Sequence, residues 1–302
     1  MDLKSLKFAI LQLVTAVSLC TANTSQFVNQ VCDQERDIRL QIVFIYDATF
    51  TFYKQIELFS EIARDVSTCV NERYPGSEYA LVAFSDYPYS AGLTDEQGRA
   101  DPREIEEEDC YVVMQQLSSD PSKFGDSFGK IKQKWGSSST APEVDERTQH
   151  SESSLTALTF AAADKSIGWS KGNVDNDGYI VRKIIILATD QWSTRILRRP
   201  GDRKPPKLDG TDKCETALPP TNKEVRTALK KNNIAVVGLF YERNGTILPY
   251  YERIIGAMDV QYTAFEIDFT NAEKIMNFIT LGLETVAECE EGDPVAYNTM
   301  GL

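Results

Sequence analysis

The chain of 302 residues has a single histidine, His150, and no serine or cysteine beside it carries the signature of an activated nucleophile. It also has no glycine-rich phosphate loop and no dinucleotide-binding fingerprint. Without such groups, hydrolysis or nucleotide-dependent chemistry has few residues to use. We therefore expect a binding protein and not an enzyme, with His150 as an exposed loop residue.

Basic residues are too few to balance the acidic ones. The 32 lysines and arginines face 45 aspartates and glutamates, which leaves a net charge of -13. Nonspecific nucleic-acid binding needs a basic surface, so the composition argues against it and against adhesion to an anionic membrane. Hydrophobic residues make up 42% of the chain, enough to bury the core of one large domain.

Long hydrophobic runs are also missing. The run from Phe8 to Leu19 has 12 residues, whereas a membrane-spanning helix needs about 20. Because Lys4 and Lys7 precede this run and Cys20-Thr-Ala22 follows it, residues 1–22 are predicted to be a secretory signal peptide. We expect the chain to be secreted or displayed at the cell surface, without a transmembrane segment.

No Cys-x-x-Cys pair occurs among the six cysteines, which argues against zinc and favours disulfides in an oxidising compartment. If Cys20 leaves with the signal peptide, the remaining cysteines are Cys32, Cys69, Cys110, Cys214 and Cys289. Five is an odd number, so one thiol is expected to be free or to bridge to a second chain in an oligomer. Asn244-Gly-Thr246 is the favoured glycosylation site, ahead of Asn23-Thr-Ser25.

Strand-like apolar runs alternate with helical periodicity from about residue 38 to 288. This predicts an α/β fold, a doubly wound and mainly parallel sheet with helices on both faces. The predicted strands are Leu40–Tyr46, Tyr79–Phe84, Tyr111–Leu117, Val181–Thr189, Ile234–Tyr241 and Val260–Ile267. The predicted helices are Tyr53–Asn71, Lys123–Trp135, Ser153–Ile167, Thr221–Lys231 and Asn271–Ala287. Residues 23–35 form an N-terminal segment, and residues 290–302 are expected to be a disordered tail.

Oxygen-bearing side chains follow two of these strands. Asp47-Ala-Thr49-Phe-Thr51 comes directly after the first strand, and Asp190 follows the fourth. Glu152 stands just before the central helix. Because strand carboxyl ends and helix amino ends meet at one edge of a doubly wound sheet, we expect these side chains to converge. Hard divalent cations prefer such oxygen ligands, so the sequence predicts a metal site at this edge.

Two charged segments interrupt the periodic pattern. Residues 95–109 hold eight acidic side chains, and residues 194–207 are rich in arginine and lysine. Long loops in compact domains commonly carry function, and opposite charges at one rim would steer or select a charged partner. The alternative is two solvated charge runs without a binding role. The candidate partner-binding residues are Glu106, Glu107, Glu108, Arg195, Arg198 and Arg199.

These motifs, in this order, resemble a von Willebrand factor A domain, and more specifically the ligand-binding I-like domain of integrin β subunits. The resemblance covers residues 36–289, and its local marks are Ile167-Gly168-Trp169 and Asn232-Asn233-Ile234. It implies a metal-ion-dependent adhesion site that holds Mg²⁺ (or Mn²⁺) and offers an open position to an acidic side chain of a protein partner. The matching residues are Asp47, Thr49, Thr51, Glu152 and Asp190.

In that family the two hydroxyls and the glutamate bind the ion directly, while the two aspartates hold ion-bound waters. Two departures concern the neighbouring calcium sites of the family. Lys54 and Gln55 stand where one site has acidic residues. The other site draws on residues just before the glutamate, where this chain has Arg147 and Gln149. We therefore expect both flanking Ca²⁺ sites to be absent.

The resemblance also implies a terminal disulfide between Cys32 and Cys289, because several A domains have such a bridge around the domain. Two of Cys69, Cys110 and Cys214 would form a second bridge, and the sequence leaves the pairing open.

Three functions follow from these residues. The first is an adhesion module that binds an acidic partner through Mg²⁺. The second is a metal-free A domain that recognises protein through its charged loops, and the third and weakest is metal-assisted hydrolysis.

Overall fold

The computed structural model describes residues 38–85, 110–135, 153–193, 219–241, 245–256 and 260–287. The predicted signal peptide, the N-terminal segment and the predicted tail lie outside these residues. Within the described ranges, no helix combines the length and the apolar character that crossing a bilayer requires.

The described residues contain one sheet of six strands, in the order β3-β2-β1-β4-β5-β6. The strands are β1 (Ile38–Asp47), β2 (Glu78–Phe84), β3 (Val112–Ser118), β4 (Ile180–Thr189), β5 (Ile234–Tyr241) and β6 (Tyr262–Ile267). Strand β3 runs antiparallel to β2, and all the other neighbours are parallel.

Helices cover both faces of this sheet. They are α1 (Phe50–Tyr53), α2 (Ile56–Arg73), α3 (Pro121–Trp135), α4 (Ser154–Ala163), α5 (Asn222–Lys231), α6 (Ile247–Tyr251) and α7 (Ala272–Ala287). A 3-10 turn, Lys165–Ile167, follows α4, and a π-helical segment, Glu252–Gly256, continues α6. The predicted doubly wound, mainly parallel α/β fold is confirmed.

Two apolar cores lie on opposite faces of the sheet. Helices α1, α2, α3 and α7 pack on the face that receives Phe44 and Tyr46 of β1. Helices α4, α5 and α6 pack on the face that receives Val43 and Ile45. Successive residues of a strand point to opposite faces, so a strand between two cores must be apolar at nearly every position. This is why β1 is apolar without interruption from Ile42 to Tyr46.

The helix predicted over Tyr53–Asn71 is present as α2 (Ile56–Arg73), and the short helix α1 (Phe50–Tyr53) precedes it as a separate element. The hydroxyl of Tyr46 donates to the carbonyl of Phe52 (2.6 Å), and the amide of Gln55 donates to the same oxygen (2.8 Å). In a continuous α-helix the Phe52 carbonyl would accept a hydrogen bond from the amide four residues later. Here it accepts from Tyr46 and Gln55 instead. Helix α2 begins afresh, with the amide of Phe59 donating to the Gln55 carbonyl (3.0 Å). A buried strand hydroxyl thus sets the break just behind the candidate site.

Candidate metal centre

Asp47 is the last residue of β1, and its side chain is fully buried (0% exposed). Its Oδ1 accepts a hydrogen bond from the backbone amide of Thr49 (2.9 Å), and its Oδ2 accepts one from the Thr189 hydroxyl (2.8 Å). A buried carboxylate is costly unless a cation compensates it. Within the described ranges, no lysine or arginine forms an ion pair with Asp47.

Strand β4 brings the second predicted carboxylate to the same edge. Tyr46 pairs with Ala188 in the parallel ladder, so Thr189 stands beside Asp47 and Asp190 comes one residue later. Asp190 is also buried, with 3% of its surface exposed. The structure therefore brings Asp47 and Asp190 together at the ends of neighbouring strands, as the sequence predicted.

The residue that follows Glu152 is anchored at this edge too. Ser153 donates from both its amide (3.2 Å) and its hydroxyl (2.5 Å) to the carbonyl of Ser85, just past the end of β2. Its hydroxyl also lies 3.2 Å from the Cys110 carbonyl. Glu152 itself lies outside the described residues, but its chain neighbour is held at the carboxyl edge of the sheet, one strand away from Asp47.

Oxygen is the donor atom at every described position of the predicted site. Thr49 stands at the N-cap position of α1 and is half-buried. The side chain of Thr51 lies outside the described part, as Glu152 does. Among described residues, no three His, Cys, Asp or Glu side chains form a metal-binding group. The described donors, two carboxylates and a hydroxyl, are hard ligands of the kind that fit Mg²⁺ or Mn²⁺ and not zinc.

At the opposite edge of the sheet, two carboxylates are compensated by an arginine. Asp175 and Asp177 both pair with the guanidinium of Arg39, at 2.8 and 3.0 Å. The same guanidinium lies over the ring of Tyr179, 3.7 Å from its centroid. These carboxylates are compensated by a cationic side chain, whereas among the described residues Asp47 receives hydrogen bonds from only an amide and a hydroxyl.

The segment after Asp190 is tied to two helices. The Tyr251 hydroxyl of α6 donates to the Gln191 carbonyl (2.9 Å) and lies 2.6 Å from the Ser154 hydroxyl at the start of α4. The amide of Leu155 donates to the Ser193 hydroxyl (3.0 Å). Sequence reasoning missed these residues. The signal that could have found Tyr251 is the helical spacing of the apolar residues Ile247, Tyr250, Tyr251, Ile254 and Ile255.

Replacing Tyr251 with phenylalanine is expected to lower the free energy of unfolding by about 1–3 kcal/mol. The ring would still stack on Phe240 (centroids 4.4 Å apart), so the loss would come from the polar groups that the hydroxyl satisfies. Equilibrium denaturation measures the change. The control is Tyr250→Phe, whose hydroxyl makes a longer bond, 3.3 Å, to the Ser193 carbonyl. An equal loss in the two variants would contradict the linking role of Tyr251.

Two cysteines of the described part are disulfide-bonded, Cys69 and Cys110. Cys69 lies near the end of α2, two residues from Ser67, whose carbonyl accepts from Tyr79 at the start of β2 (3.0 Å). Cys110 lies at the other end of β2, because the Ser153 hydroxyl contacts both the Cys110 carbonyl and the carbonyl of Ser85, the residue after that strand. Strand β2 separates them by about 20 Å, far beyond disulfide reach. A bond between these two, one of the pairings that the sequence left open, is therefore excluded.

The remaining predicted site residues lie outside the described part of the chain. These are the charged-loop residues Glu106, Glu107, Glu108, Arg195, Arg198 and Arg199, the glycosylation site Asn244, and the cysteines Cys32 and Cys289. Lys54 is exposed at the end of α1.

No family model matches the sequence, and no curated protein matches it. Similar solved structures include two of proximal thread matrix protein 1 (PTMP1) from the mussel byssus. One shares 13% identity and a TM-score of 0.46, covering 81% of this chain and 48% of that one. The other shares 14% identity and a TM-score of 0.44, with 81% and 47% covered.

This chain therefore spans about half the length of those structures, and a likeness at this level carries no inference about function. The strand order and helical layers are consistent with a fold of the von Willebrand factor A and Rossmann-like class.

Proposed function

We propose that this chain is a secreted or surface-displayed adhesion domain that binds a protein partner through Mg²⁺ (or Mn²⁺). The observation that carries the proposal is Asp47. This carboxylate is buried at the carboxyl edge of the sheet, oriented by two neutral donors, and placed beside a second buried carboxylate. A bound divalent cation would compensate this charge, as Arg39 compensates the acidic turn at the opposite edge.

Each proposed ligand has a defined role. Thr49, Thr51 and Glu152 would bind the ion directly. Asp47 and Asp190 would hold the waters bound to it, and the Thr189 hydroxyl keeps the Asp47 carboxylate oriented towards that task. When bound, the ion supplies an open coordination position for a carboxylate oxygen of the partner.

The charge of the chain favours such a bridge. With a net charge of -13, the chain would repel an acidic partner unless a cation stood between the two carboxylates. The resemblance to the integrin β I-like domain supports the same partner chemistry. The proposal makes the chain a binding module and not an enzyme, without flanking Ca²⁺ sites.

Titration of Mg²⁺ or Mn²⁺ into the full chain by calorimetry tests the site. We expect one binding event in the native chain and none in Glu152→Ala or Asp190→Ala. The matched control is Asp177→Ala, which removes a carboxylate from the opposite edge and is expected to leave ion binding unchanged. Absence of heat at millimolar ion would refute the metal site. The metal-free alternative, recognition through the charged segments 95–109 and 194–207, would then be preferred.

A further inference from the structure

An exposed indole lies beside the candidate metal centre. Among the described residues, three large hydrophobic side chains are exposed: Val174, Trp192 and Leu281. Trp192 alone of these lies at the carboxyl edge, two residues after Asp190, and 44% of its surface is exposed. Two residues span at most about 7 Å, so the backbone of Trp192 lies close to that of Asp190, a proposed ligand residue.

The indole is held in place by the fold and contributes little to the core. Its ring stacks on Tyr250, with centroids 6.1 Å apart and planes at 21°. Tyr250 packs edge-on against Tyr251 (4.9 Å), which stacks on Phe240 of β5 (4.4 Å). A column of four aromatic rings therefore runs from the sheet to the surface and ends at Trp192.

The backbone on both sides of Trp192 is fixed as well. The Gln191 carbonyl accepts from Tyr251, and the Ser193 hydroxyl and carbonyl bond to Leu155 and Tyr250. A side chain that is rigid before binding loses little conformational entropy on binding, which is what makes aromatic anchors effective in interfaces.

The ring nitrogen of Trp192 differs in its hydrogen bonding from that of Trp169. The Trp169 ring nitrogen donates to the Ala161 carbonyl (2.8 Å). Within the described ranges, the Trp192 ring nitrogen donates to no acceptor. The exposed ring thus offers an apolar face and a hydrogen-bond donor at the same place.

We propose that Trp192 is a docking platform for an aliphatic or aromatic side chain of the protein partner, adjacent to the carboxylate that reaches the ion. This proposal rests on the proposed function, in which the partner supplies an acidic residue to the ion. The ion alone would accept any carboxylate. Specificity would therefore come from an apolar residue of the partner next to its acidic residue, because that apolar side chain would pack on Trp192.

The test uses a phage-displayed library of random heptapeptides with a central aspartate, selected on the full chain in Mg²⁺. We expect the native chain to enrich apolar residues next to the aspartate. Enriched peptides are expected to bind Trp192→Ala about tenfold more weakly or worse, since buried tryptophan anchors are common hot spots. Trp192→Phe should retain much of the binding, and Leu281→Ala, which removes an exposed apolar residue on α7, should retain all of it. Thermal melting checks that each variant is folded.

Each outcome decides between the two proposals. Equal binding by Trp192→Ala, enrichment without an apolar preference, or no enrichment at all would overturn the platform while leaving the calorimetric result for Mg²⁺ intact. Enriched peptides that persist in chelator and are lost in Trp192→Ala would keep the platform and count against the metal-dependent function.

Discussion

Replacing Phe59 with alanine is expected to lower the free energy of unfolding by about 3–5 kcal/mol. Phe59 is fully buried on α2. Its ring centroid lies 5.9 Å from that of Phe44, 5.1 Å from Tyr46, 5.8 Å from Phe52 and 6.2 Å from Phe269. These rings belong to β1, to α1 and to the segment before α7, so the cavity would remove contacts from three parts of the fold at once.

Equilibrium denaturation of the full chain measures this loss. Leu281→Ala is the control, because it removes an aliphatic side chain that is 52% exposed, and its effect is expected to stay within about 0.5 kcal/mol. A loss below about 1 kcal/mol in Phe59→Ala would mean that the aromatic cluster closes around the gap. The cluster also supports the first loop of the site, since Tyr46 packs on Phe59 and bonds the Phe52 carbonyl.

The sheet and most of its helices could be predicted because their apolar patterns are local. Every predicted strand exists, with ends shifted by two residues or fewer; β1, for example, runs Ile38–Asp47 where Leu40–Tyr46 was predicted. Helix α5 ends at Lys231 as predicted, and Asn233 beyond it adopts a left-handed conformation (φ 49°), which asparagine tolerates better than most residues.

Contacts between residues far apart in the sequence could not be predicted from local patterns. The break between α1 and α2 depends on the Tyr46 hydroxyl, which no helical periodicity reveals. Helix α6 was missed although its apolar spacing is helical, because the segment is short and contains Pro249. For the site, the position of Asp47 and Asp190 at the ends of parallel strands predicted that they lie close together. It did not predict that Thr189 orients Asp47. An orienting hydrogen bond depends on side-chain geometry that only the folded sheet supplies.

Replacing Asp47 with asparagine is expected to weaken Mg²⁺ binding by about 100-fold while leaving the metal-free fold intact. The substitution keeps the shape of the side chain and removes its charge. The amide oxygen would still accept from Thr49, and the amide nitrogen would face the Thr189 hydroxyl. Because a buried carboxylate at this edge would be gone, the metal-free variant is expected to be at least as stable as the native chain.

The two effects separate in thermal and chemical unfolding with and without Mg²⁺. At an ion concentration of about 100 times the native Kd, the native chain should gain about 2.7 kcal/mol from binding. At the same concentration, a variant with a 100-fold weaker site should gain about 0.4 kcal/mol. Asp177→Asn, at the opposite edge, should gain as much as the native chain. Equal stabilisation of Asp47→Asn and the native chain would show that Asp47 has no part in holding the ion, and its buried charge would then need another explanation.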